Sequence, residues 1–127
     1  MLRLSAKTKL EPLEALDRAN KFFEEKGLTL AESIAHLHGK GGSVEIRVSG
    51  GELVGKAEYD PKQVLSQLTK NAVDGLGFEP VSFALHFHTT IGHVDVTVSN
   101  EKPAEVTLNS MEYDHQVREF ADRLSRT

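Results

Sequence analysis

Two short stretches place imidazoles at alternating positions, Ala35-His36-Leu37-His38 and Leu85-His86-Phe87-His88. In an extended strand successive side chains point to opposite faces, so each His-x-His pair shares one face. A carboxylate follows each pair: Glu45 after the first, and Asp95, two residues past His93, after the second. If residues 39–42 turn the chain so that His38 faces Ser43, then His36 faces Glu45. The matching turn sets His88 opposite His93 and His86 opposite Asp95. A carboxylate beside an imidazole fixes its tautomer and favours its charged form, which a general base, a proton switch or an oriented metal ligand requires. Cross-strand opposite charges also stabilise plain sheet faces, by about 0.2–1 kcal/mol, with no chemistry attached.

Three uses are open to these residues. As a binding surface, His36, His38, Glu45, Arg47, His86, His88 and Asp95 form a polar patch for a small molecule or a protein partner. As a metal centre, His86, His88, His93 and Asp95 combine imidazoles with a carboxylate, residue types that suit zinc, nickel or iron. As an acid–base enzyme, His86 is the general base oriented by Asp95, with Ser82, Thr97 or Ser99 nearby and Arg47 holding an anionic substrate. No nucleophile motif accompanies them, because Ser82 does not sit in a G-x-S-x-G elbow. Gly39-Lys40-Gly41-Gly42-Ser43 feeds a strand rather than a helix N-terminus, so it reads as a hairpin turn and not a phosphate cradle. The expectation is a non-enzymatic binding module using the histidine face or the groove where two halves meet. The alternative is a metal-dependent or His/Asp acid–base enzyme; no catalytic residue and no cofactor is assigned.

The elements that must position these residues follow from hydrophobic period. Alternation over 2–9 predicts a strand. Glu11-Pro12 opens a helix over 11–26 carrying Leu13, Leu16, Ala19, Phe22 and Phe23, and Gly27 closes it. Strands follow over 30–38 and 43–49, and Gly50-Gly51 turns the chain into another at 52–59. Asp60 caps a helix that begins at Pro61, with Val64, Leu65, Leu68, Ala72 and Leu76 on one stripe and Gly75 and Gly77 at its end. Strands over 81–89, 93–99 and 105–111 come next, and Asp114 caps a last helix with Val117, Phe120, Ala121 and Leu124 inward. Tyr59 and Tyr113, each in a Glu-Tyr-Asp before a helix, anchor strand ends with a wet hydroxyl, or close a ligand groove. Phe22, Phe23, Phe83, Phe87 and Phe120 fall at apolar positions and read as core.

A shift of 50 superposes the first half on the second: Gly42, Val44, Val48 and Ser49 fall on Gly92, Val94, Val98 and Ser99. The shift grows to 54 at Glu112-Tyr113-Asp114, which repeats Glu58-Tyr59-Asp60 after an insertion near Asn100 to Pro103. Residues 1–127 therefore read as a single domain with pseudo-repeats at 1–51 and 52–103 and a strand and helix over 104–127. The fold class is α+β, a two-layer sandwich of about seven mostly antiparallel strands with three helices on one face. Its internal duplication is of a strand-helix-strand-strand module. In this element order the chain resembles the GyrI-like small-molecule-binding domains, and a helix-grip fold is the less similar alternative. The resemblance assigns a role to no residue.

Composition narrows the rest. The 127 residues are 39% hydrophobic and 27% charged, ordinary for one domain that folds without a metal or a disulfide. Fifteen Lys and Arg against nineteen Asp and Glu give a net charge of −4, which argues against nucleic acid or an anionic membrane as partner. With no cysteine there are no disulfides, thiolate zinc sites or cysteine nucleophiles. Met1 leads into Leu-Arg-Leu-Ser with no apolar stretch of signal-peptide or membrane length, which predicts an unprocessed cytoplasmic protein. Open sheet edges also allow a homodimer.

Overall fold

A computed structural model of the chain describes residues 2–49 and 61–126, apart from the side chains of 61–66, 68 and 76. Its elements are β1 (Leu2–Thr8), α1 (Pro12–Glu25), β2 (Thr29–Gly39), β3 (Gly42–Ser49), α2 (Pro61–Leu76), β4 (Glu79–His88), β5 (His93–Ser99), β6 (Ala104–Met111) and α3 (Asp114–Ser125). The expected strand at 52–59, the Gly50-Gly51 turn, Tyr59, Asp60 and the stripe positions Val64, Leu65, Leu68 and Leu76 lie outside what is described. The sheet thus has six strands among the described residues, in place of seven.

The strand order is β1-β6-β5-β4-β2-β3, and every neighbouring pair is antiparallel. Alternation drives one face inward. Phe83, Leu85 and Phe87 of β4 stand opposite Val98, Val96 and Val94 of β5, and all six are at most 2% exposed. On this surface α1 lays Ala15, Leu16, Ala19, Phe22 and Phe23, and α3 lays Val117, Phe120 and Leu124. The aromatic rings tie the helices to the sheet and to each other: the Phe23 centroid is 5.4 Å from Phe87 and 5.5 Å from Phe120, and Phe22 is 5.2 Å from Phe120. These spacings are those of favourable aromatic pairs, and the phenylalanines are core as expected. Helix α2 packs on β2, β3 and β4 and touches α1, with Ala72 and Val73 half-buried against the same core.

The helix ends show how local chemistry sets the chain's path. Pro12 occupies the first turn of α1, where its missing N–H costs nothing. At the other end Gly27 takes φ 88°, Gly27 N–H donates to Glu24 O at 3.0 Å and Leu28 N–H donates to Phe23 O at 3.0 Å. This is a Schellman closure, with Leu28 and Phe23 both buried beside it. Asp114 does not cap α3 as expected. Tyr113 holds the cap position with no side-chain cap, while Asp114 accepts a 2.6 Å hydrogen bond from the fully buried Ser110 hydroxyl. A buried hydroxyl without a partner would cost more than an unmade cap, so the carboxylate goes to Ser110. The half-buried Tyr113 hydroxyl meets Thr89 Oγ1 at 2.6 Å.

Strands β1 and β3 are the outermost among the described residues, and β1 turns Arg3 and Lys7 outward, charges that discourage pairing with another chain. No helix among the described residues is long and apolar enough to cross a membrane.

Helices α1 and α3 are latched by Glu119, 3.1 Å from Lys26 Nζ and 3.6 Å from Arg123. Its carboxyl lies below the ordinary carboxylate range, first because Lys26 donates a hydrogen bond and then through the charges of Lys26, Arg123 and His115. A carboxyl depressed in the folded state adds stability above its unfolded pKa and loses it as pH falls through the folded value. Glu119→Gln is therefore expected to lower the melting temperature at pH 7. That deficit should shrink to nothing on acidification below about pH 4, the ordinary carboxylate range. Thermal melts from pH 3 to 7 check this, and a deficit independent of pH contradicts it.

Candidate functional site on the outer sheet face

The register that buries Leu85 against Val96 and Phe87 against Val94 must turn the residues between them outward. It sets His86 opposite Asp95 and His88 opposite His93. On the other hairpin β2 and β3 set His36 opposite Glu45 and His38 opposite Ser43. All four pairings are those deduced from the turn lengths. Strands β2 and β4 are themselves neighbours, with Ile34 opposite Ala84 and His36 opposite Ser82, so the two His-x-His strands lie side by side in the middle of the sheet.

Within this frame the side chains meet unequally. His86 Nδ1 lies 2.6 Å from Asp95 Oδ1, both side chains about one-third exposed. An ionised carboxylate only accepts, so His86 donates through Nδ1–H and the neutral ring keeps its lone pair on Nε2. His93 Nε2 stands 3.8 Å from Asp95 Oδ2, at the limit of an ion pair. The pair in the first half is looser, His36 Nδ1 being 3.3 Å from Glu45 Oε1, and His38 Nδ1 is 3.4 Å from Ser43 Oγ.

Arg47 does not stand open for an anion as expected. Its Nε donates to Glu45 Oε2 at 2.9 Å and its Nη1 donates to Glu32 Oε1 at 2.8 Å. Hydrogen bonds to Glu45 and Glu32 push the guanidinium above its ordinary pKa. Two carboxylates on one guanidinium leave a local negative balance, and Asp95 adds to it. Glu32 is the residue that sequence reasoning missed. It faces Ser49 on β3 and His86 on β4, and period two counted back from His36 reaches it directly. Between the polar rows, Ile34 and Ala84 occupy outward positions yet are each 3% exposed and stand outside the main core cluster, an apolar floor in the centre of the face.

The metal set of His86, His88, His93 and Asp95 is not assembled. Among the described residues no three His, Asp or Glu side chains are grouped to hold an ion.

Close by, the turn between β4 and β5 is fixed by its backbone. Thr89 N–H donates to Gly92 O at 2.9 Å, and a Cβ on Gly92 would collide with Met111 O. Glycine at 92 thus lets β6 approach the loop that sets the His88–His93 register.

Comparison of the chain with protein-family models, curated proteins and solved structures gives no match.

The His86 geometry predicts a tautomer. In neutral solution His86 should hold its proton on Nδ1, and Asp95→Ala should release it toward Nε2–H, while stability changes by less than about 1 kcal/mol because the pair is cross-strand and partly solvated. Long-range 1H–15N correlation of the imidazoles and urea denaturation read both quantities. Nε2–H in the parent chain contradicts the geometry.

Proposed function

We propose that this protein is a binding module whose docking surface is the outer sheet face, contributed by His36, His38, Glu45, Arg47, His86, His88 and Asp95 together with Glu32. The observation that carries the reading is that two cross-strand imidazole–carboxylate pairs, His36–Glu45 and His86–Asp95, share the face opposite the aromatic core, on neighbouring strands but offset along them, His86 facing Glu32 and His36 facing Ser82 with Ile34 and Ala84 between. Glu32, Glu45 and Asp95 outnumber Arg47 around the histidines, so the complement is a partner offering hydrogen-bond donors or positive charge, either a small cation or a basic protein segment. An apolar floor at Ile34 and Ala84 within a polar surround is the anatomy of a recognition surface. The reading includes an internal duplication, with the helices forming one layer and the sheet the other. It is supported by the offset of 50 that carries His36–Glu45 onto His86–Asp95 at equivalent cross-strand positions.

A second reading, a His/Asp acid–base enzyme, is favoured by the 2.6 Å His86–Asp95 bond, which leaves Nε2 as a base. Its weakness is that, among the described residues, no nucleophile is joined to the pair by a hydrogen bond.

Titration of the labelled chain with a Lys/Arg-rich peptide and with an Asp/Glu-rich peptide tests the binding reading. Saturable amide shifts confined to residues 32–38, 43–49, 82–88 and 93–97 are expected with the basic peptide only. Combining Glu45→Gln with Asp95→Asn should weaken them at least severalfold. Preference for the acidic peptide, or shifts confined to the helix side, contradicts it.

A further inference from the structure

Followed across all six strands, the register orders the charges of the outer face. At one level Arg3 of β1 stands in line with Asn109, Asp95, His86 and Glu32, ending at Ser49 on β3. Two residues along, Thr107, Thr97, Ala84 and Ile34 form an uncharged middle row that ends at Arg47. At the next level Lys7 pairs with Glu105, whose backbone N–H donates to Ser99 Oγ at 2.9 Å, and Ser82 and His36 carry the line on to Glu45. The two sides of the face are therefore unlike. Arg3 and Lys7 on β1 are exposed and have no ionic partner among the described residues, whereas Glu32 and Glu45 outnumber Arg47 at the other side. The midline of the strand order falls between β5 and β4.

We propose that the occupant of the outer face is a second copy of this chain, packed face to face about a two-fold axis that runs along the strands between β4 and β5. The inference rests on the reading of this face as the docking surface, and it names the source of the positive charge that the reading requires. Such an axis keeps each residue at its level and carries it across the midline, so every contact is made twice. Lys7 then meets the partner's Glu45, and Arg3 meets the partner's Ser49 next to the partner's Glu32. Glu105 meets the partner's His36, Asp95 the partner's His86, and Thr97 the partner's Ala84. No acid directly opposes an acid and no lysine or arginine opposes another. A two-fold axis across the strands would instead set Arg3 on the partner's Lys7, so the charges select the first arrangement. Uncharged residues lie in the middle row and charges toward the rim, the usual layout of an interface. The long rim side chains take up the roughly 30° at which aligned sheets cross. Six strands about 4.8 Å apart and about 20 Å long offer about 600 Å² per copy, somewhat below the standard of about 800 Å², which makes the dimer a weak one.

Sedimentation velocity of the full chain from about 10 μM to about 1 mM covers the affinity of so small an interface. A concentration-dependent dimer is expected, weakened severalfold by added salt because the rim charges are screened. Lys7→Glu and Glu45→Lys should each weaken it at least about tenfold, since each change puts two like-charge contacts into the homodimer. An equimolar mixture of the two variants should dimerise as the parent chain does, because each reversed charge then meets the reversed charge of the other variant. Isotope-filtered NOEs in a mixture of labelled and unlabelled parent chains need no substitution. They are expected between the Thr97 methyl and the partner's Ala84, and between the Thr107 methyl and the partner's Ile34. The proposal is overturned by a dimer indifferent to both charge reversals, by a mixture that stays monomeric, or by intermolecular NOEs that map to another surface. A chain that is monomeric throughout yet takes a Lys/Arg-rich peptide on its outer face overturns the dimer and leaves the docking reading standing. A face that takes neither peptide nor partner overturns both.

Discussion

Everything on both faces of this sheet depends on the pairing register of β4 with β5. Phe83–Val98, Leu85–Val96 and Phe87–Val94 are the inward pairs on which α1 closes, with α3 packed beside it over β1 and β6, and the aromatic contacts of Phe23 reach the sheet through Phe87. Because side chains alternate, the same register makes His86–Asp95 and His88–His93 the outward pairs. A slip of one residue would carry three valines to solvent and bring Asp95 into the core, a loss that no gain on the outer face could offset. The candidate site is thus held in place by hydrophobic burial on the other side of the backbone.

That coupling explains how much was legible in the sequence. Period two in Val94, Val96 and Val98 announced both the strand and its buried face, and the residues interleaved with them, His93, Asp95 and Thr97, followed without further information. Turn lengths then fixed His36 on Glu45 and His86 on Asp95. What alternation does not carry is a break in alternation. Leu30 and Glu32 have the same parity, yet Leu30 is core and Glu32 faces outward, because the register between β2 and β4 shifts between them. A second shift follows His36, beside Val81, an apolar residue of β4 that is 52% exposed. Such irregularities are set by pairing with a strand distant in sequence, so the outward turn of Glu32 after the buried Leu30 could not be read by counting forward along β2 alone.

The same distinction applies to the charged groups. Residue types suggested that Arg47 was available to an anion and that Asp114 was a helix cap. In the folded chain Arg47 is claimed by Glu45 and Glu32, and Asp114 by the buried hydroxyl of Ser110. Thr69 is the converse case, an unremarkable helical residue in the sequence that burial makes conspicuous, since its hydroxyl is enclosed without a partner among the described residues. Sequence supplies the candidates for polar chemistry, and it is tertiary packing that decides which are already satisfied.

The absence of cysteine allows a direct test of the register on which the account rests. Two double variants are oxidised under mild conditions, one pairing His86→Cys with Asp95→Cys and the other pairing His86→Cys with Val94→Cys, and the intramolecular disulfide is quantified by mass spectrometry. Directly opposed antiparallel residues have Cα atoms about 4.5–5.5 Å apart, within reach of a disulfide, whereas adjacent residues of the partner strand point to the opposite face. The account predicts near-complete closure at 86 and 95 and none at 86 and 94. Closure at 86 and 94 with none at 86 and 95 would mean that the strands pair one residue out of step, and neither the core nor the outer face would be as described.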